Sequence, residues 1–183
     1  LDIYENIALQ NINKENSSYF FSVVGKIKNS YSEFPNILQH PDCLLAYYYY
    51  KHKNYQKSIS LYKSLINSYQ NKSDSKGFLD EAYYVLSEMY SDKNILDSAL
   101  YYNKLGIANL IGEKPEIIES INNLDRLKNI DLAFRHTLCI FLSKKHLIQY
   151  KAFTNNKANS MSLLSSIDGL LSLDSLFFEY SGI

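Results

Sequence analysis

The chain has 183 residues, 46% of them hydrophobic and 21% charged, a balance that excludes an intrinsically disordered chain. Nineteen Lys and Arg offset nineteen Asp and Glu, which argues against a broad nucleic-acid footprint or an anionic-membrane patch. Two isolated thiols, Cys43 and Cys139, are too few for a disulfide framework and leave the compartment open.

This length accommodates one or two domains with a sizeable core. Three Pro, six Gly and no long alternating runs favour helix over sheet. Seventeen Tyr with no Trp suit shallow seams between helices, where hydroxyls reach water. No apolar run approaches the ~20 residues of a membrane span. The chain opens on Leu1 rather than Met, as expected of a processed protein or a piece of a longer one.

From the N-terminus, residues 2–13 and 17–32 read as a first helix pair. Ile3, Ile7 and Ile12 make a weak apolar stripe; Phe20, Val23, Val24 and Ile27 make a better one behind the cap candidates Asn16, Ser17 and Ser18. Pro35 is expected to end this pair, and Pro41 with Asp42 to open the next helix in its first turn. A second pair spans Gln39 to Ile66. Its run Tyr47 to Tyr50 places tyrosines all round a helix, so at least one leaves the core, and Tyr50 is the expected one. The polar stretch Asn71 to Gly77 connects this pair to the next.

Asp80 to Ile107 is the clearest pair. Leu79, Ala82, Tyr83, Leu86 and Tyr90 recur at three- and four-residue steps and form one stripe. Ser91, Asp92, Lys93 and Asn94 break the pattern with turn formers, and Ile95, Ala99, Tyr102, Gly106 and Leu110 make a second stripe. Ser87, Ala99 and Gly106 are small, and antiparallel helices approach closely only where side chains are short. Gly112 is expected to stop the second helix, and Pro115 with Glu116 to open another. Residues 114–140 fit a third unit, with a helical pattern from Ile130 to about Phe153. Thr154 to Ser160 reads as a linker. A last helix near 161–179 carries Leu163, Leu164, Ile167, Leu170, Leu171, Phe177 and Phe178 on a wide apolar face.

The Asp80 to Ile107 stretch closely resembles one tetratricopeptide (TPR) repeat. Tyr83, Leu86, Ser87 and Tyr90 stand at repeat positions 4, 7, 8 and 11, with Ala99 at 20 and Gly106 at 27. In the preceding unit, Leu45, Ala46 and Tyr49 match positions 7, 8 and 11; Tyr55, Ser58, Tyr62 and Leu65 stand at 17, 20, 24 and 27. In the third unit Leu124 and Ala133 match positions 11 and 20. Asn103 and Ile111 depart from the family's aromatic and Pro, and Ser120 from its Leu. The resemblance implies an all-α TPR-like helical-hairpin solenoid: a degenerate pair over 1–36, repeats over 37–153, and a linker with a packing helix over 154–183.

It further implies a concave groove lined by the first helix of each repeat. That groove maps to His40, Cys43, Tyr47, Tyr50 and Lys51, then Glu81, Tyr84, Glu88, Ser91 and Asp92, then Ile118, Asn122, Asp125 and Arg126. The plain alternative is that these are solvated helix faces. The family's clamp for a C-terminal carboxylate needs Lys and Asn where Cys43, Tyr84, Tyr47 and Glu88 stand, so that activity is excluded.

No catalytic, cofactor or metal site is expected. His136 and Cys139 are three apart on one helix with His146 further on, but no further ligand has metal spacing and no base with an orienting group accompanies the thiol. These read as a buried Cys and two solvated His, and His40 with Cys43 read alike. No phosphate loop or nucleophile elbow is present. The expected function is therefore a non-catalytic scaffold for a protein or peptide. Glu81, Glu88 and Asp92 lie nearly on one face and favour a partner with a basic segment. The alternative is the ligand-sensing TPR region of a larger bacterial signalling or transcriptional regulator, because Leu96 to Leu105 resembles repeats of such proteins. The wide face of the last helix is expected to mediate self-association or to pack against sequence outside this chain.

Overall fold

A computed structural model describes residues 2–12, 17–33, 35–70, 76–120, 132–155, 160–161, 164 and 167–168. They form an all-α architecture of consecutive helices: α1 (Asp2–Asn11), α2 (Ser17–Ser30), α3 (Pro35–Lys51), α4 (Tyr55–Tyr69), α5 (Lys76–Asp92) and α6 (Leu96–Ile111). A 3-10 helix (Pro115–Ser120) and a long α7 (Leu132–Thr154) complete the order. Among the described residues there is no strand. The chain divides into two compact units, Leu1–Met89 and Tyr90–Ile183, with the division falling inside α5.

In the first unit, α1, α2 and α3 share one apolar core. Ala8 and Ile12 of α1 meet Phe20, Val23, Val24 and Ile27 of α2, and Leu44 and Tyr48 of α3. Phe20 is wholly buried and stacks on Tyr48 at 4.6 Å between ring centroids. Burial of one such aromatic side chain is worth about 1.5–3 kcal/mol. Lys28 and Asp42 add an ion pair at 2.6 Å between α2 and α3. The His52 ring donates through Nε2 to the Ile12 carbonyl at 2.8 Å, since a carbonyl can only accept. The expected boundary at residue 36 lies in the first turn of α3.

Two expectations for α3 are corrected. Pro35 opens the helix instead of ending the preceding pair, and Pro41 lies inside it. Pro35 suits a first helical position, and the Pro41 ring is wholly buried, which offsets the hydrogen bond it cannot donate. The second correction concerns the tyrosine run. Tyr50 is half-buried like Tyr47 and Tyr49, and Tyr48 is the buried member. The reason is that α3 is covered on two sides: α2 takes Leu44 and Tyr48, while α4 takes Ala46.

That second contact is the α3–α4 hairpin. Ala46 and Ser58 are both wholly buried, and the Ser58 hydroxyl donates to the Ala46 carbonyl at 2.7 Å. The turn between the helices puts Lys53 at φ 57°. Its N–H donates to the Tyr50 carbonyl and that of Asn54 to the Tyr49 carbonyl. Asn54 then caps α4, its side chain accepting from the Lys57 N–H at 3.3 Å.

The turn from α5 to α6 repeats this geometry. Asn94 has φ 58°, its N–H donates to Ser91, and that of Ile95 donates to Tyr90. Lys53 and Asn94 hold equivalent positions in the two sequence repeats. Ser87 and Ala99, equivalent to Ala46 and Ser58, are likewise wholly buried. Small, wholly buried residues thus recur at the same two positions of both stretches.

In the second unit, α6 packs on α7 through Leu96, Ala99, Ile148 and Ala152. Asn103 is wholly buried and donates through Nδ2 to the Phe141 carbonyl at 2.9 Å. Gly106 lies directly under the Phe141 ring, where a Cβ would clash. Phe141 from α7 thus reaches the stretch of α6 that carries Asn103 and Gly106. Gly112 ends α6 in the left-handed region at φ 71°, as its position required. Pro115 opens a 3-10 helix, not an α-helix. The third-unit positions Leu124 and Asp125 lie outside the described residues. So do Leu163, Leu170, Leu171, Phe177 and Phe178. Met161, Leu164 and Ile167 are helical and exposed.

Candidate functional site

The sequence-derived groove residues of the first unit come together around a cleft. α3 supplies His40, Cys43, Leu44 and Tyr47; α5 supplies Phe78 and Glu81; α1 adds Leu9. The cleft encloses about 240 Å³. The His40 ring sits edge-on to Phe78, 4.3 Å between centroids. Cys43 is buried in the floor and Glu81 is exposed at the wall.

Around this cleft the tyrosines form a continuous surface. Tyr47 lies 6.0 Å from Tyr50, and Tyr50 lies 6.2 Å from Tyr55 at the start of α4. Lys51 places Nζ 5.2 Å from the centre of the Tyr47 ring, a cation–π distance. The wholly buried Tyr62 donates its hydroxyl to Glu81 Oε1 at 3.2 Å. Burial first, then the nearby Glu81 carboxylate, holds that hydroxyl well above the usual tyrosine range. Tyr84 is raised for the same kinds of reason, burial and then Glu88, to which it donates. These phenols are protonated donors at neutral pH. Their hydroxyls are already given to Glu81 and Glu88, and a protonated phenol does not act as a base.

The remaining groove candidates lie elsewhere. Asp92 is exposed and belongs to the second unit. Asn122 and Arg126 lie outside the described residues. Ser91 is buried and accepts from Lys151 Nζ at 3.1 Å, so it does not line a groove. Ile118 is 1% exposed and is likewise a core residue.

The His and Cys residues of α7 are partly reassigned. His136 is exposed, but His146 is buried, where a solvated ring was expected. Burial, with a smaller push from Lys145, lowers its pKa to about 4, and a hydrogen bond with Gln149 opposes them. Its position was legible: His146 falls four residues after Leu142 and eight after Leu138, on their stripe. Cys139 is half-buried, and desolvation raises its thiol, which disfavours the thiolate a nucleophile needs. Among the described residues no three His, Cys, Asp or Glu side chains gather as a metal site, and no helix is long and apolar enough to cross a membrane.

Sequence reasoning missed Leu9, Leu44 and Phe78 as cleft residues. Leu44 precedes Tyr48 by four, so a second stripe on α3 was visible. Leu9 comes from another helix pair and had no local signal. No protein-family model, curated protein or solved structure matches this chain.

Proposed function

We propose that this chain is a non-catalytic scaffold that binds a protein or peptide segment on the face shared by α3 and the first-unit part of α5. The observation that carries this reading is the gathering of half-buried His40, Tyr47, Tyr50 and Tyr84 with Glu81 and Glu88 on packed helices. Large aromatic side chains supply contact area at low entropic cost, and hot spots at interfaces are enriched in them. Because helices hold them, a partner loses little free energy to ordering this surface. The matching turns at Lys53 and Asn94, and the buried small pairs of both repeats, support the TPR-like reading from which the face was first mapped.

The test is a selection of short random peptides displayed against the immobilised protein. The reading expects recovery of a related set of sequences that bind in solution and enrich for Lys or Arg. Recovery of no peptide that binds in solution would overturn it.

A further inference from the structure

We propose that the cleft between α1, α3 and α5 receives one basic side chain, arginine or lysine, of a bound segment. This rests on the peptide-binding reading above. Size comes first. At about 240 Å³ the cleft lies below the ~300–1,000 Å³ typical of small-molecule sites, and it suits one long side chain better than a metabolite.

The lining then divides by chemistry. Leu9, Leu44 and Phe78 offer an apolar wall to a methylene stem, the part of Lys and Arg that buries readily. Tyr47 and Phe78 add aromatic surface, and because Lys51 already holds its ammonium 5.2 Å from the Tyr47 ring, the attraction for an incoming cation falls to Glu81. Glu81 supplies a carboxylate at the wall, and no Lys or Arg is among the described lining residues. An acidic side chain would be repelled there. A purely apolar one would strip water from the carboxylate without replacing it.

Glu81 is also held in place. The Tyr62 hydroxyl donates to its Oε1 from a wholly buried position, so the acceptor is oriented before a ligand arrives. Preorganisation of this kind favours binding by reducing the ordering cost.

The experiment is an NMR titration of the whole chain with three probes. Nα-acetyl-arginine amide and Nα-acetyl-lysine amide carry stem and charge; Nα-acetyl-norleucine amide keeps the stem and drops the charge. The cationic probes are expected to give saturable shifts centred on His40, Tyr47 and Phe78, with norleucine binding about tenfold weaker or more. Glu81→Gln keeps an acceptor for the Tyr62 hydroxyl, so this variant should fold and melt like the parent yet lose the preference for charge. Equal binding of norleucine, shifts centred away from the cleft, or an unchanged preference in folded Glu81→Gln would each overturn the proposal. Selected peptides without a fixed Lys or Arg would also overturn it while leaving peptide binding intact. If the selection itself failed, peptide binding would fall and the norleucine comparison would decide the cleft alone.

Discussion

The Ser58 hydroxyl donates a hydrogen bond to the backbone carbonyl of Ala46 at 2.7 Å, at a point where both residues are wholly buried. The two helices are close enough here that a serine can reach the neighbouring backbone. A larger side chain would have to push them apart. Ser58→Ala should lose only the hydrogen bond, about 0.5–1.5 kcal/mol. Ser58→Leu should overpack the crossing and cost about 1–3 kcal/mol. Urea unfolding of both variants checks the order, and a leucine variant as stable as the parent would contradict this packing.

Gly106 and Phe141 make the corresponding test in the second unit. A methyl group at Gly106 would run into the Phe141 ring. Gly106→Ala should therefore destabilise by about 1–3 kcal/mol, even though alanine favours a helix by about 1 kcal/mol over glycine. Phe141→Leu alone should also destabilise, by leaving a cavity. Combined, the two should cost less than the sum of the singles, because the smaller side chain makes room for the methyl group. Strict additivity in a double-mutant cycle would contradict the contact.

Much of this was legible in the sequence. Gly112 was placed as a helix stop, and the small residues Ala46, Ser58, Ser87 and Ala99 were placed by the repeat pattern; each of these follows from local chemistry or from a fixed spacing. Pro41, Tyr48 and Leu9 were not placed. Their positions depend on how α1 and α2 pack against α3, which is a contact between separate helix pairs. Periodicity finds a stripe but does not say which neighbour covers it. The cleft shows the same split: His40, Tyr47 and Glu81 came from the repeat register, and its remaining apolar wall came from packing.

The hairpin turns give a prediction about backbone conformation. Lys53 is held at φ 57°, a region that costs an ordinary residue roughly 1–2 kcal/mol and asparagine less. Lys53→Asn should therefore stabilise the protein by up to ~1 kcal/mol. The reverse exchange, Asn94→Lys, should destabilise, with an exposed hydrogen bond from Asn155 lost as well. Thermal unfolding that moved Lys53→Asn downward would contradict the shared turn geometry.

His146 predicts a pH dependence. Burial lowers its folded pKa to about 4 from the ordinary 6.5, so the unfolded chain takes up the proton first as pH falls. Its contribution is fully present above about pH 6.5, declines between there and about pH 4, and levels off below. The loss is at most about 3 kcal/mol. His146→Gln should flatten that limb relative to the parent, which separates this ring from carboxylates titrating nearby. Parallel stability curves for the two proteins would contradict the buried, neutral imidazole.

The binding face itself is tested most directly by moving the perturbation between surfaces. A peptide recovered by selection is titrated against the parent, against Tyr47→Ala/Glu88→Lys on the α3–α5 face, and against Ser64→Arg on exposed α4 surface. All three proteins are first shown to have the same helical content and cooperative unfolding. Loss of about tenfold or more in affinity for the face variant, with Ser64→Arg unchanged, is the predicted result. Unchanged affinity in the face variant, or loss confined to Ser64→Arg, would contradict it.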